Sequence, residues 1–421
     1  MFTRFKQLGA LILLVLFLQP AGLRAQPDLS GFLQTDRFMF TADSLRFAKQ
    51  VNELRMQVNA RHSRISLTAS ADIYTTSAGV QTDLWEGYVD YYGSFYDLRL
   101  GKQVVSWGTT DGINPTDNLN PFDLGRKSPF VDPAEKKLPV TMAKADLYFG
   151  GLRVTGIVVP DFHPFRLPDT STWHMSRPDD LLELPPNTVL QNKGTPIPPE
   201  EPSGTPENAE YALKLSGDLA GVNLSASYFR GWDDFPSFQP RITPQSVDQS
   251  GTKYVNVQPT LAYHRVDVFG GDFATSLFGL GLRGEAAYYL TEDEDGTDPF
   301  IQDPFFHYVL GMDYTFRNGL YLNAQFVSGM FRRYGLTPTE DDDYMITSVL
   351  TYDLNDYNSF EVGGMYSITD ENLLLKPSYT RTLGNAVDLT FGAYIVEGET
   401  GEHFGAFRAN DQIYGQLRYN F

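Results

Sequence analysis

No cysteine occurs among the 421 residues. Disulfides, thiolate metal ligands and a lipid anchor on cysteine are excluded together, so hydrogen bonds and packing must hold the fold. Long apolar runs are also missing, the longest being Leu8 to Leu18. A membrane-spanning helix needs ~20 such residues, so a helical membrane bundle is excluded. Basic residues are scarce: 33 Lys and Arg stand against 52 Asp and Glu, a net charge of −19. Nucleic acid is therefore not an expected partner. No repeat on the scale of a propeller blade or solenoid turn recurs. Nor is there a nucleophile elbow, phosphate loop or zinc signature, so no catalytic residue, metal or cofactor is expected. The histidines, His62, His163, His174, His264, His307 and His403, carry no motif. Asp267 follows His264 by three residues, a spacing that puts the two on opposite faces of a strand.

What the chain has is alternation. In the stretch from Gln412 to Phe421, Ile413, Gly415, Leu417, Tyr419 and Phe421 fall on one side of a strand, and Gln412, Tyr414, Gln416, Arg418 and Asn420 on the other. The pattern recurs. Tyr211, Leu213 and Leu215 alternate with Lys214, Ser216 and Asp218; Leu224, Ala226 and Tyr228 with Asn223, Ser225 and Ser227; Leu320, Leu322, Ala324 and Phe326 with Tyr321, Asn323 and Gln325; Val387, Leu389, Phe391, Ala393 and Ile395 with Asp388 and Thr390. A soluble sandwich would bury its greasy rows in a dry core between two sheets. Low overall hydropathy combined with rows of charged and amide side chains fits a wall between hydrocarbon and water instead. The expected fold is all-β: a transmembrane antiparallel up-and-down barrel of about 18 strands, 16–18 being the range.

Connectors give an independent signal. Short ones at 93–94, 150–151, 220–221, 317–319, 354–356 and 383–385 have hairpin chemistry. Long ones span 107–138, 161–207, 233–255, 291–303, 333–342 and 398–408. With the first strand starting near Gly31 on the periplasmic side, every short turn falls inside and every long loop outside. At the other end of the sequence, Arg4 and Lys6 precede the apolar run and Pro20 follows it. Residues 1–25 read as a secretory signal peptide, and 26–421 as one barrel.

The last strand, with Leu417, Tyr419 and a terminal Phe421, resembles the C-terminal signature of bacterial outer-membrane barrels. That resemblance implies the outer membrane of a Gram-negative bacterium as location and the barrel assembly machinery as a partner. A second segment has more individuality: a strand through Gly101, Lys102 and Gln103 ends in Trp107 and Gly108 and runs into Ile113, Asn114, Pro115 and Asp117. It resembles a family of outer-membrane, porin-like barrels, some related to alginate-export channels, in which Trp-Gly leads to Ile-Asn-Pro-x-Asp.

The function expected is a porin-like channel for passive passage of small polar solutes or an acidic saccharide. Candidate pore-lining residues are Glu86, Asp90, Arg99, Gln103, Lys144, Asp146, Arg153, Lys214, Asp218, Arg230, Arg283, Arg381 and Arg418. Facing rows of opposite charge would set a transverse field across water. The loop 107–138, through Trp107, Gly108, Asp111, Asn114, Pro115 and Asp117, either folds inward as a constriction or caps the rim. Asp111, Asn114, Asp117 and Asn118 also form a weak candidate for Ca²⁺. Lys102 faces outward close to the outer rim, where its stem can snorkel. The acidic runs from Glu292 to Asp295 and from Glu340 to Asp343 are solvated loops or, through divalent cations, contacts to lipopolysaccharide. The proline-rich insertion 161–207 is a shield or gate, ordered through Phe162, Phe165 and Trp173. A receptor or adhesion barrel using its outer loops is the alternative, and a lipid or peptide hydrolase the less favoured one. A homotrimer is an expectation of the same class.

Overall fold

Residue parity decides which side chains meet lipid and which meet the interior. The computed structural model describes residues 27–41, 45–76, 79–126, 133–167, 187–194, 197, 199–239, 241–258, 260–298, 300–330, 343–399 and 404–421. The expected leader 1–25, Trp173, His174, Glu340 to Asp342 and His403 lie outside that set. Eighteen antiparallel strands form one sheet: β1 (Asp28–Phe40), β2 (Arg46–His62), β3 (Ile65–Thr76), β4 (Gly79–Tyr92), β5 (Tyr96–Gln103) and β6 (Val140–Phe149). They continue as β7 (Leu152–Val159), β8 (Glu210–Leu219), β9 (Val222–Trp232), β10 (Arg265–Leu277), β11 (Leu280–Thr291) and β12 (Phe305–Thr315). The last are β13 (Leu320–Ser328), β14 (Tyr344–Asn355), β15 (Asn358–Ser367), β16 (Leu373–Leu383), β17 (Val387–Glu397) and β18 (Gln412–Asn420). Each pairs with its neighbour in sequence, and β1 pairs with β18 through Phe32↔Asn420 to Phe40↔Gln412, so the sheet closes. This is the expected all-β transmembrane barrel of 18 strands.

The two ends differ as anticipated for the connectors named above, although the short connections 41–45, 77–78 and 368–372 join strands at the long-loop end. Turns at 63–64, 93–95, 150–151, 220–221, 278–279, 316–319, 356–357 and 384–386 all lie at the end where β1 begins and β18 finishes. Ala220 and Gly221, at φ 53° and 84°, make a two-residue turn whose twist matches that of the flanking strands. The long connections 104–139, 160–209, 233–264, 292–304, 329–343 and 398–411 all leave the opposite end. Beyond the barrel there, Thr188–Lys193, Arg241–Val247 and Lys253–Gln258 form a small three-stranded sheet. Part of the 161–207 insertion is thus regular strand, and Phe162 packs on Tyr263 and Trp232 while Phe165 packs on Phe122 and Phe235.

Outward-facing side chains form an apolar belt: Leu33, Leu213, Leu310, Ile346, Val362 and Leu417 are exposed. Aromatic rings flank it at both edges, with Phe149, Phe278, Phe316 and Tyr419 toward the short turns and Tyr211, Phe269, Phe306 and Tyr366 toward the long loops. Two girdles around an apolar band are the exterior of a barrel immersed in a bilayer. The inner face divides into two zones. Near the short turns it is polar and charged, as the alternation implied. Near the long loops it is apolar: Val140, Met142, Ile157, Val159, Phe229, Val266, Val268, Tyr289 and Phe305 are buried in one cluster with Val105, Trp107 and Leu119. Parity correctly sends these residues inward, but a polymer loop rather than water covers them.

Closure rests on the C-terminus. The Gly31 N–H donates to the Phe421 carbonyl at 2.8 Å and the Phe421 N–H to the Gly31 carbonyl at 3.0 Å. A Cβ on Gly31 would sit 2.2 Å from the Arg55 carbonyl oxygen and 2.9 Å from the Phe421 ring. Gly31→Val should therefore strain the seam by about 1–3 kcal/mol, the usual scale of overpacking. Its folded band on unheated gels should convert to the unfolded one at a lower temperature than that of the unsubstituted barrel; equal heat resistance would contradict this account of the seam.

Candidate functional site

The connection between β5 and β6 turns into the barrel instead of capping it. Its start is fixed by the strand it leaves: Gln103, fully buried, donates to the Met142 carbonyl at 3.2 Å, and Glu86 accepts the Val104 N–H at 2.9 Å. Asn120 then ties the loop's two limbs together, accepting from the Val105 N–H at 2.8 Å and donating to the carbonyls of Gln103 at 3.1 Å and Leu138 at 2.9 Å. Such local side-chain bonds give an irregular path the backbone partners it would otherwise lack.

The centre of the loop is gripped by one carboxylate. Glu285, on the inner face of β11 and 3% exposed, accepts at Oε2 from the Thr109 and Thr110 N–H groups at 3.0 and 3.3 Å, the Thr110 hydroxyl at 2.9 Å and the Asn114 amide at 3.3 Å. Its Oε1 accepts from the Thr116 N–H and hydroxyl, both at 2.7 Å. A charged acceptor ringed by donors is the strong form of hydrogen bond, and here it replaces a cation as counter-partner. Glycine makes the approach feasible: a Cβ on Gly108 would lie 2.2 Å from the Glu285 carboxylate, and one on Gly270 would lie 2.4 Å from the Thr116 methyl.

Neighbouring wall residues extend the grip. Arg283 pairs with Asp111 at 2.7 Å and with Asp313. Gln325 accepts from the Asp111 N–H at 3.1 Å and donates to its carbonyl at 2.6 Å, while Asn323 donates to the Asp111 carboxylate at 2.6 Å. The Tyr289 hydroxyl donates to the Pro115 carbonyl at 2.7 Å, and Lys214, paired with Asp272 at 2.8 Å, donates to the Trp107 carbonyl. Asp117 pairs with Lys137 across the loop. Asp111, Asn114, Asp117 and Asn118, the Ca²⁺ candidates, are each bonded within the protein: Asp111 to Asn323, Asn114 to the Thr110 carbonyl, Asp117 to Lys137 and Asn118 to Tyr289.

The returning limb reaches the other wall. Arg126 is buried between Glu53 at 3.3 Å and Asp72 at 2.7 Å, on β2 and β3, with its guanidinium carbon 3.9 Å above the Tyr74 ring. Arg55 shares both acids, at 3.0 and 3.3 Å, and lies 3.9 Å above Trp85. Two guanidinium groups and two carboxylates form a locally neutral quartet, which limits the cost of burying charge. Lys49 donates to the Gly125 carbonyl at 2.5 Å from the same side. The loop is therefore a strap from β8–β13 across to β2–β4. A second inward segment, the 3₁₀ turn Gly405–Asn410 with Phe404 before it, joins an apolar cluster against which Ile113 of the strap packs.

The expected pore-lining residues separate by location. Asp90 with Arg99 at 2.6 Å, Lys144 with Asp146, and Arg283 with its two acids are inward ion pairs. Arg153 bonds Ser216 at 3.3 Å, Arg418 lies 4.0 Å over Phe32, and Asp218 caps the turn at Gly221. Glu86, Gln103 and Lys214 also point inward but hold the strap. Two of the assignments are corrected. Arg230 is in register with exposed Tyr211 and pairs with Asp267 on the outer face, and Arg381 shares parity with exposed Leu383. Both stand near strand ends, past the apolar belt, where an outward charge costs ~0–1 kcal/mol. Lys102 faces outward as expected and donates to the Leu84 carbonyl at 2.7 Å.

The outer loops use their acids locally. Asp293 accepts from the Thr297 and Asp298 N–H groups, which hold its carboxyl below the usual range, and the Ser250 hydroxyl with the Thr252 N–H does the same for Asp248. Glu292 bonds His264 at 2.8 Å, and Gln239 takes the other ring nitrogen at 3.0 Å, leaving neither for a serine hydroxyl.

Glu285→Gln replaces an acceptor at both oxygens with an amide that donates from one end, facing two donors of Thr116 or four of the 109–114 segment. Each buried donor left without an acceptor costs about 1–3 kcal/mol. Hydrogen exchange of residues 108–118 should accelerate while the barrel strands stay protected; unchanged protection of this segment would refute the anchoring role.

Among solved structures, Salmonella typhi OmpF in complex with daunomycin is 10% identical, with 94% of this chain and 98% of that chain covered and a TM-score of 0.45. Vibrio cholerae OmpT lacking loop L8, an outer membrane protein, is 11% identical over 94% and 99% at 0.43, and a mutant of Rh. blastica porin is 11% identical over 94% and 100% at 0.40. No curated protein matches the sequence. One family profile matches residues 40–348, a span that includes the whole strap and its Glu285 anchor, and the chain belongs to that family, described as "Protein of unknown function (DUF1302)".

Proposed function

We propose that the protein is a porin-like channel of the outer membrane of a Gram-negative bacterium, with its long loops outside and the 104–139 strap as the constriction that sets which solutes pass. The observation that carries this reading is the strap's attachment to opposite walls, at Glu285 and at Arg126, inside a closed barrel. A segment held at both ends within a lumen narrows it and presents polar groups to whatever crosses.

The solutes favoured are small and polar. Inward charges lie in contact pairs, such as Asp90 with Arg99 and Lys214 with Asp272, rather than in opposed rows. Contact pairs cancel one another's field over a short distance, which supports weak ion selectivity and passage of uncharged polar molecules ahead of an acidic saccharide. The likeness to alginate-export barrels rests on the segment from Gly101 to Asp117 alone. Leu417, Tyr419 and Phe421 face outward on the closing strand, where the assembly machinery has access to them.

Planar-bilayer recordings test the channel and its constriction separately. Gln103 and Val140 are already an antiparallel pair, so the strap can be replaced by a short turn without moving β5 or β6. The shortened protein should conduct more than the full one, by a factor on the order of two or above, with little change in cation-to-anion preference. No conductance in either form would overturn the channel reading; equal conductance would leave the channel but remove the constriction.

A further inference from the structure

We infer that the outer wall between β5 and β9 carries a seat for one acyl chain of a phosphorylated glycolipid of the outer leaflet. On the lipid-facing side a groove of about 450 Å³ crosses these strands, lined by Leu98, Ala143, Gly156, Tyr211, Leu213 and Tyr228. Its floor is low because Ala143, Ala145 and Gly156 are small where their neighbours Leu100, Val158 and Leu213 stand out and are exposed. Within the belt a depression of this kind is filled by hydrocarbon, since water has no place there and an empty slot forfeits dispersion contacts.

The head of the groove supplies the complementary charge. Arg230 is in register with Tyr211, follows Tyr228 on the same face by two residues, and lies at the long-loop end of β9. Its side chain is 54% exposed, and both of its bonds to Asp267 are made by Nη1. The Tyr228 hydroxyl also donates to Asp267, which fixes that carboxylate and so the guanidinium beside it. A planar guanidinium with an exposed edge suits a phosphate, and its place at the outer rim matches the headgroup of a lipid whose chain lies below. Arg265, in register with Trp232 and stacked 4.3 Å over its ring, lies nearby on the same face, with its Nη2 already bonded to the Glu207 carbonyl and Asn208.

The inference takes from the reading above only the orientation of the barrel in an asymmetric membrane. Gly156→Leu is a clean probe, because a Cβ there would meet nothing within 4 Å. Barrel purified from outer membranes in mild detergent should retain phosphorylated glycolipid by native mass spectrometry. Gly156→Leu and Arg230→Ala should each lower that retention about tenfold, the scale of two methylene groups losing their seat. Leu350→Phe, elsewhere on the belt, should not. Retention unaffected by Gly156→Leu, retention of phospholipid alone, or conversion of an oligomer to monomers by the same substitution would each overturn the proposal, the last by making a second copy the occupant. Single-channel conductance of Gly156→Leu should equal that of the unsubstituted protein, so a lost lipid with intact conductance separates this site from the channel.

Discussion

One carboxylate organises the interior. Glu285 stands on a strand whose inward neighbours in register include Asp272 and Val309, and it meets six donors from a loop more than 150 residues away in sequence. An ionised group that deep would be costly if bare. Bonded at every lone pair, it favours the inward course of the strap, since an outward loop would exchange six aimed donors for water. The surrounding chemistry is arranged to permit that bond. Gly108 and Gly270 clear the space, Thr110 and Thr116 each supply a backbone and a hydroxyl donor, and Asn114 closes the ring.

That grip explains why the inner face is not uniformly wet. Once the strap lies against β8–β13, the inward side chains above it no longer see water, and they are apolar: Val266, Val268, Ala287 and Phe305 pack with Val105, Trp107 and Leu119. Below it the wall reverts to ion pairs and amides. A barrel with a hydrocarbon exterior thus also has a small dry core of its own, formed between wall and loop, which gives the strap hydrophobic support that a surface loop would lack.

The fold was legible because two short-range signals agree. Side-chain parity in strands such as Val222–Trp232 needs no knowledge of partners, and the sorting of tight turns from long loops tests the same parse independently. Location of the polar faces followed, and with it the inward course of Asp90, Arg99, Lys144, Asp146 and Lys214. Arg230 and Arg381 show that parity outranks charge: Leu224, Ala226 and Tyr228 already assign Arg230 to the greasy side. Glu285 belongs by its charge with the lumen-facing side chains, but its role as an anchor was not legible. Its six donors are recognisable only when residues 109–116 and 285 are adjacent, and a lone Glu in Gly284-Glu-Ala-Ala287 carries no local mark. The dense Gly, Asn and Pro content after Trp107 announced a stiff loop, but stiffness alone does not say on which side of the rim it lies.

The two clasps of the strap differ in kind, and the difference bears on how firmly each wall holds it. At Glu285 a single charge is saturated by neutral donors, so the attachment is short-ranged and insensitive to ionic strength. At Arg126 the attachment is a quartet of charges shared with Arg55, Glu53 and Asp72, braced by ring faces of Tyr74 and Trp85. Arg55 already satisfies part of both acids without the strap, so releasing Arg126 leaves two carboxylates sharing one guanidinium, whereas releasing the Glu285 side takes six donors from a single carboxylate and leaves it to water. The first separation is the less costly of the two. The clasp at Arg126 is accordingly the weaker of the two, and the one at β11 the stronger.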